Sequence, residues 1–347
     1  MAGITLSAGH PPSGPRPLDL RRDLRQVADL IEEAFGPELD AAGRAALREL
    51  RITARLGPML NLFAPSGQGV NNILNGFVWI EGGMVVGNVT VQRIPQFQSR
   101  YIIANVAVKE PYRGRGIASE LMRLTMNYIA EQGGVWAILQ VREDNDTARG
   151  MYQRLGFAEL LTEYRLRAPL PPAAPQIPMP SKGELRLLYD RDWRAVRYLL
   201  RRALSKEARW WHPTRAVGFR SSSSSRVQQR LGRWFGVGHR VRWGLFLGTE
   251  LMGVLDVDVF RFNEHRIDLL LYPDLREDWS APLLAHALRY LQQFPQRPVT
   301  ATLFDYQLPA LEALNAFGFQ PFVTLVNMRK RICAHEDDSC MEREPAS

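Results

Sequence analysis

The chain is 347 residues long, 46% apolar and 23% charged, the balance of a soluble globular protein and long enough for two cores. No apolar run approaches the roughly 20 residues of a membrane helix. Residues 2–17, rich in Gly, Ser and Pro, have no apolar stretch of the kind a secretory signal needs. The net charge of +8 is uneven, because residues 201–243 hold 11 Lys or Arg against one acid (+10), leaving −2 for the rest.

In chain order, residues 1–17 read as a flexible tail. A helix-periodic segment opens at Arg22-Asp23-Leu24-Arg25, and a long polar loop spans 58–75. A hairpin turn follows at 82–87, then an alternating apolar run at 101–108 that predicts a strand. The glycine-rich turn Pro111-Tyr112-Arg113-Gly114-Arg115-Gly116-Ile117-Ala118 leads into a helix pattern over 119–130. After Gln132-Gly133-Gly134 come a second strand at 135–141, the polar run 142–146, and a short helix carrying Tyr152 and ending before Phe157. Residues 168–182 are proline-rich and predict a semi-rigid linker. The strongly basic stretch 201–243, with Trp210, Trp211, Trp234 and five serines at 221–225, reads first as a solvated helix pair joined by a serine loop. Its lesser reading is a nucleic-acid surface. Cys333 and Cys340 lie near the end in an acidic tail, 332–347; they make no four-ligand pattern, so no metal is expected and a reduced, cytoplasmic setting is.

The glycine turn is where chemistry is expected first. Gly114 and Gly116 allow a ligand close to the backbone, and the unpaired amides of the following helical turn favour phosphate. The spacing of Arg113, Gly116 and Ala118, followed by that of Asn145, Ala148, Tyr152, Gly156 and Phe157, resembles the two sequence blocks of the GNAT N-acetyltransferase superfamily. The resemblance covers about residues 18–168. It implies a mixed α/β sheet flanked by helices that splays open between strands 101–108 and 135–141. Acetyl-CoA would be the co-substrate. Its pyrophosphate would lie on Arg113, Gly114, Arg115, Gly116, Ile117, Ala118 and Ser119, and its pantetheine arm would pair with Val106 and Val108. A donor near Val106 or Ala107 would serve as the oxyanion hole. Asn145 would bond the pantetheine, or else simply make an Asx turn, and Tyr152 would protonate the leaving thiolate.

Landmarks recur across the linker. Arg22-Asp23-Leu24-Arg25 returns as Arg191-Asp192-Trp193-Arg194, the 82–87 turn as 248–253, and Leu155-Gly156-Phe157 as Phe317-Gly318-Phe319. This predicts a tandem duplication with a GNAT domain at 18–167 and a second copy at 183–331. The second copy has no glycine turn, and Asp274, Glu277 and Asp278 would repel a pyrophosphate, so it is expected to be degenerate. The tandem arrangement resembles two-domain GNAT enzymes that acetylate small amines, such as mycothiol synthase; in that enzyme the C-terminal domain is the active one, and here the expectation is reversed. The first domain ends in a short segment, 157–167, with the second domain expected to cover its edge.

Amine acetylation needs a proton removed from the acceptor, and this is the weak point. Gln140 and Asn105 stand where relatives carry acids, leaving Glu32, Glu33, Asp144 or a water chain as candidate bases. The expectation is an acyl-CoA-dependent N-acyltransferase acting on a small-molecule or peptide amine, with no membrane partner. The alternative is a non-catalytic acetyl-CoA sensor or interaction module.

Overall fold

The computed structural model describes residues 13–36, 47–48, 51, 75–94, 97–211 and 238–332. Most of the tail, the polar loop 58–74, the serine-rich basic stretch 212–237 and the cysteine-bearing end lie outside the described residues. Two compact units are present: Met1–Val141 with Asp146–Glu159 and Met328–Ser347, and Arg142–Asn145 with Leu160–Asn327.

The first unit opens with β1 (Gly14–Pro17), which pairs antiparallel with β2 (Asn75–Glu81). These four residues, counted with the flexible tail in the sequence, are instead an edge strand, a position that tolerates prolines because one side needs no donors. Arg16 helps to fix it through two hydrogen bonds to the buried Asp23, at 2.6 and 2.7 Å. Asp23 lies in α1 (Leu20–Phe35), whose N-cap Asp19 accepts from the Arg21 amide. The apolar stripe of α1 (Val27, Leu30, Ile31) packs with Val78, Ile80, Val85 and Ala107. The sheet continues through β3 (Met84–Ile94), β4 (Phe97–Val108) and β5 (Trp136–Arg142).

Between β4 and β5 runs α2 (Ile117–Glu131). It sits hard against β3 at Gly87, where a Cβ would lie 2.8 Å from Ile117 Cγ2 and 3.1 Å from Leu121 Cδ1. Only glycine lets helix and strand approach this closely. The short α3 (Asp146–Arg154) follows β5.

The second unit repeats the order. After β7 (Glu184–Leu187) come α4 (Trp193–Ala203), α5 (Lys206–Trp211), β8 (Gly238–Leu247), β9 (Glu250–Phe260), β10 (His265–Leu271), α6 (Arg276–Leu291), β11 (Val299–Phe304) and α7 (Leu308–Ala316). The turns marked as repeats share backbone conformation: Gly82 and Gly248 have φ of 56° and 61°, and Gly156 and Gly318 have φ of 84° and 88°. α6 buries Leu283, Leu284, Leu288 and Leu291 against Leu255, Val257, Ile267 and Leu269. On the other core, α4 places Val196, Leu199 and Leu200 with Val254 and Leu270. The proline-rich segment is no free spacer, since Ala174 and Met179 pack against the α6 core.

Two strands depart from sequence order. β6 (Ala158–Ala168) follows α3, yet from Leu160 it belongs to the second unit, where it pairs antiparallel with β11 over Val299↔Ala168 to Phe304↔Glu163. β12 (Gln320–Arg331) starts in the second unit, and from Met328 it belongs to the first. There the Lys330 ammonium donates to the Leu155 carbonyl at 2.6 Å and the Ile332 amide to Val135 at 2.8 Å. Among the described residues no helix is long and apolar enough to cross a membrane.

Candidate functional site

The parallel pairing of β4 with β5 covers only Arg100↔Trp136, Tyr101↔Ala137 and Ile102↔Ile138. Beyond Ile102 the two strands part, as the family resemblance implies. On its other side β4 slips past β3: Asn88 faces Ala107 and Thr90 faces Ala104, so Asn105 and Val106 stand outside the register. This is a β-bulge, and it turns on Asn105, whose φ of 54° is the only positive value at a non-glycine among the described residues. Asparagine tolerates that region better than most side chains. Three hydrogen bonds hold the bulge: Asn88 Nδ2 to the Asn105 carbonyl, Asn105 Nδ2 to Thr90 Oγ1, and Thr90 Oγ1 to the Ala104 carbonyl, each 2.9 Å. Sequence reading missed Asn88 and Thr90. The available signal was two polar residues inside the valine-rich run 85–91.

The glycine turn follows the end of β4. Gly114 and Gly116 have φ of 77° and 78°, and a Cβ built on either meets nothing within 4 Å. Gly116 is the N-cap of α2 and supplies no side-chain cap. The first-turn amides of Ile117, Ala118 and Ser119 therefore lack intrahelical partners and face an open approach. Arg113 and Arg115 are exposed beside them. Arg113 Nε donates to the Val108 carbonyl at 3.0 Å, tying the turn to β4. Arg115 donates to Pro111 at 3.1 Å and lies over the Tyr112 ring. Open amides, a helix N-terminus and two guanidinium groups fit a pyrophosphate.

Tyr152 is 5% exposed and packs edge-on against Phe157, with ring centroids 6.0 Å apart. Burial alone pushes its phenol up to about 12. Asn145 is exposed in the turn before α3, where its amide donates to the Arg142 carbonyl at 3.1 Å; this stretch belongs to the second unit. Gln140 is exposed on β5. Of the three carboxylates named as stand-in bases, two are paired with arginines. Glu32 pairs with Arg51 and Asp144 with Arg142, and each arginine holds its partner below the ordinary carboxylate range.

The second unit repeats the parted strands and closes them. β10 pairs with β11 only from His265↔Val299 to Ile267↔Ala301. Val108 and Leu271 occupy matching places, facing Gly87 and Gly253 respectively, so Leu269 corresponds to Val106. The carbonyl of Leu269 accepts from the buried Gln307 amide at 2.7 Å, and Gln307 Oε1 takes the Phe304 amide at 3.2 Å. Arg276, at the start of α6, turns inward to the carbonyls of Tyr306 and Ala203, at 2.7 and 2.8 Å.

Residues 59–157 match the family model described as Acetyltransferase (GNAT) family. The chain carries a GNAT acetyltransferase domain. It is 36% identical over 114 residues to N-alpha-acetyltransferase MAK3 of Arabidopsis thaliana, covering 29% of this chain and 60% of that one. The curated relatives it matches are spanned over only 20% to 60% of their length. Over the whole chain, the fold resembles a GCN5-related N-acetyltransferase from Sphaerobacter thermophilus (TM-score 0.58, 16% identity, 92% of this chain and 95% of that one). It also resembles a tandem GNAT protein from the clavulanic acid biosynthesis pathway (TM-score 0.52, 16% identity, 93% and 99%). The GNAT domain thus sits in a chain with tandem GNAT architecture, in line with the repeat read from the sequence.

Proposed function

We propose that the GNAT domain transfers an acyl group, acetyl in the simplest case, from acyl-CoA to an amine. The observation that carries this reading is the parting of β4 and β5 beside an uncapped, arginine-flanked helix N-terminus. Arg113, the turn 114–116 and the amides of Ile117, Ala118 and Ser119 would hold the pyrophosphate. The backbone of Val106 and Val108, free of β5, would receive the pantetheine arm. When bound, the co-substrate supplies an activated thioester carbonyl. The Val106 region supplies a backbone donor for its oxygen, and Tyr152 supplies a phenol that keeps its proton for the sulfur.

Gln140 and Asn105 stand where relatives carry acids, and Glu32 and Asp144 are paired with arginines, which bears on the acceptor. An amine that must arrive already neutral is handicapped in proportion to its pKa. Near pH 7 roughly a tenth of an α-amine is neutral, against a few in ten thousand for a lysine-type amine. This favours an acceptor with a low-pKa amine, such as a peptide N-terminus, and the name of the Arabidopsis relative agrees. The uncharged Asn105 and Gln140 also support the second reading, an acyl-CoA sensor. The second unit, with Gln307 across the parted strands and Glu277 and Asp278 in the first turn of α6, would bind no CoA.

Isothermal titration with acetyl-CoA tests the reading. We expect one site in the wild-type chain and none in Gly116→Glu, which puts a carboxylate into the open space where phosphate would sit. Equal affinity in a folded Gly116→Glu would remove the cradle, and two sites would reject the closed second unit.

A further inference from the structure

We propose that Asn88 is a positioning residue for acyl transfer: its side-chain amide holds and polarises the Asn105–Val106 peptide, so that the Val106 N–H points out of β3 towards the thioester oxygen. The inference rests on the acyl-CoA reading above and adds a residue to it.

The argument begins with which groups are tied. The peptide linking Asn105 to Val106 has its carbonyl fixed by Asn88 Nδ2 at 2.9 Å. The preceding carbonyl, of Ala104, is fixed by Thr90 Oγ1 at 2.9 Å. Peptide bonds here are trans, so the N–H at the other end of each peptide points the opposite way. The Val106 N–H is therefore directed away from Asn88 and β3. On that side β5 is not in register, since its pairing ends at Ile102↔Ile138. A donor aimed into a gap between parted strands is what an oxyanion hole requires. A hydrogen bond accepted by a carbonyl also makes the N–H of the same peptide a stronger donor, so Asn88 strengthens what it aims.

The state of Asn88 itself points the same way. Its side chain is fully buried, and Oδ1 has no hydrogen-bond partner. Turning the amide over would set oxygen against the Asn105 carbonyl, so the donor orientation is settled by that contact. A strand otherwise filled by valines thus carries a buried amide only half satisfied, a cost in stability. Fold stability does not account for it; control of the bulge does.

The test reads the thioester directly. Acetyl-CoA carrying carbon-13 at the carbonyl is bound to the full chain and its carbonyl stretch recorded by infrared difference spectroscopy. Affinity comes from titration, and turnover from acetohydroxamate formation with hydroxylamine, a small acceptor that is neutral at pH 7. In the wild-type chain the stretch should fall below that of free acetyl-CoA. In Asn88→Leu it should return towards the free value, with kcat down about tenfold or more and affinity held within about twofold. Asn88→Asp should restore the low-frequency band only at acidic pH, where the buried carboxyl is protonated and can donate again. This pH dependence answers the question alone if Asn88→Leu does not fold. An unchanged band with unchanged kcat in these variants overturns the inference while leaving the acyl-CoA reading intact. So does a loss of turnover explained wholly by weaker binding. Failure of the wild-type chain to bind acetyl-CoA overturns both.

Discussion

The Tyr152 phenol, pushed up to about 12 by burial, carries its proton at any ordinary pH. A thiolate of pKa near 8.5 is a weaker base than that phenolate by roughly 3.5 units, so complete proton transfer to sulfur would be uphill by about 5 kcal/mol. Tyr152 therefore serves as a hydrogen-bond donor to developing charge more than as a freely given acid. Tyr152→Phe should leave acetyl-CoA affinity within about twofold and lower kcat by about ten- to a hundredfold; equal steady-state rates would reduce the residue to packing. Its effect on stability has a definite sign. The folded pKa lies above the unfolded value near 10, so the contribution of Tyr152 to stability is fully present below about pH 10 and is lost as pH rises towards 12. The loss attributable to Tyr152 is roughly 2–3 kcal/mol, and Tyr152→Phe should lack it in denaturant titrations at pH 9 and 12. For an acceptor that must arrive already neutral, kcat/KM should climb with pH up to the amine's own pKa. A plateau well below that value would reveal a base on the enzyme.

At the scale of elements, the two halves use the same strand–turn–helix unit to opposite ends. After β4 comes a turn with two left-handed glycines and an uncapped α2. After β10 come Pro273–Leu275 as a 3-10 turn and then α6, with Glu277 and Asp278 in its first turn. Acidic groups there suit the helix dipole by themselves and leave no place for phosphate. Gln307 adds the second block by bridging the Leu269 carbonyl and the Phe304 amide. Gln307→Ala should cost about 1–3 kcal/mol, because it strands two buried backbone groups, without creating a CoA site. Urea denaturation gives the first number. A second acetyl-CoA site appearing in titration would contradict the second expectation.

For the molecule as a whole, each compact unit draws on both halves of the sequence through β6 and β12. A chain ending at residue 319 lacks the strand that supplies Met328 and the residues after it to the first unit. It should lose acetyl-CoA binding and cooperative melting, although the glycine turn is intact. Retained binding with a sharp thermal transition would make the first half self-sufficient.

The glycine turn, the strands and helix around it and the tandem repeat were legible in the sequence because each is a local pattern, a spacing, a periodicity or a residue type that one conformation requires, whereas the parting of the strands and the part given to Tyr152 came only with the family resemblance. Gly114 and Gly116 announce left-handed turns, and the alternation at 101–108 announces β4. Which strand completes which sheet is not local. β6 and β12 read alike as terminal strands, and their destinations depend on contacts between distant segments, 131 residues apart for Ala168 with Val299 (299 − 168) and 175 for Leu155 with Lys330. The same holds for the bulge. Asn88, Thr90 and Asn105 are ordinary polar residues in sequence, and they become a set only when the β3–β4 register slips by one residue and brings their side chains together. Local patterns fix conformations residue by residue, whereas register and strand exchange are decided by what the folded chain can pair and bury.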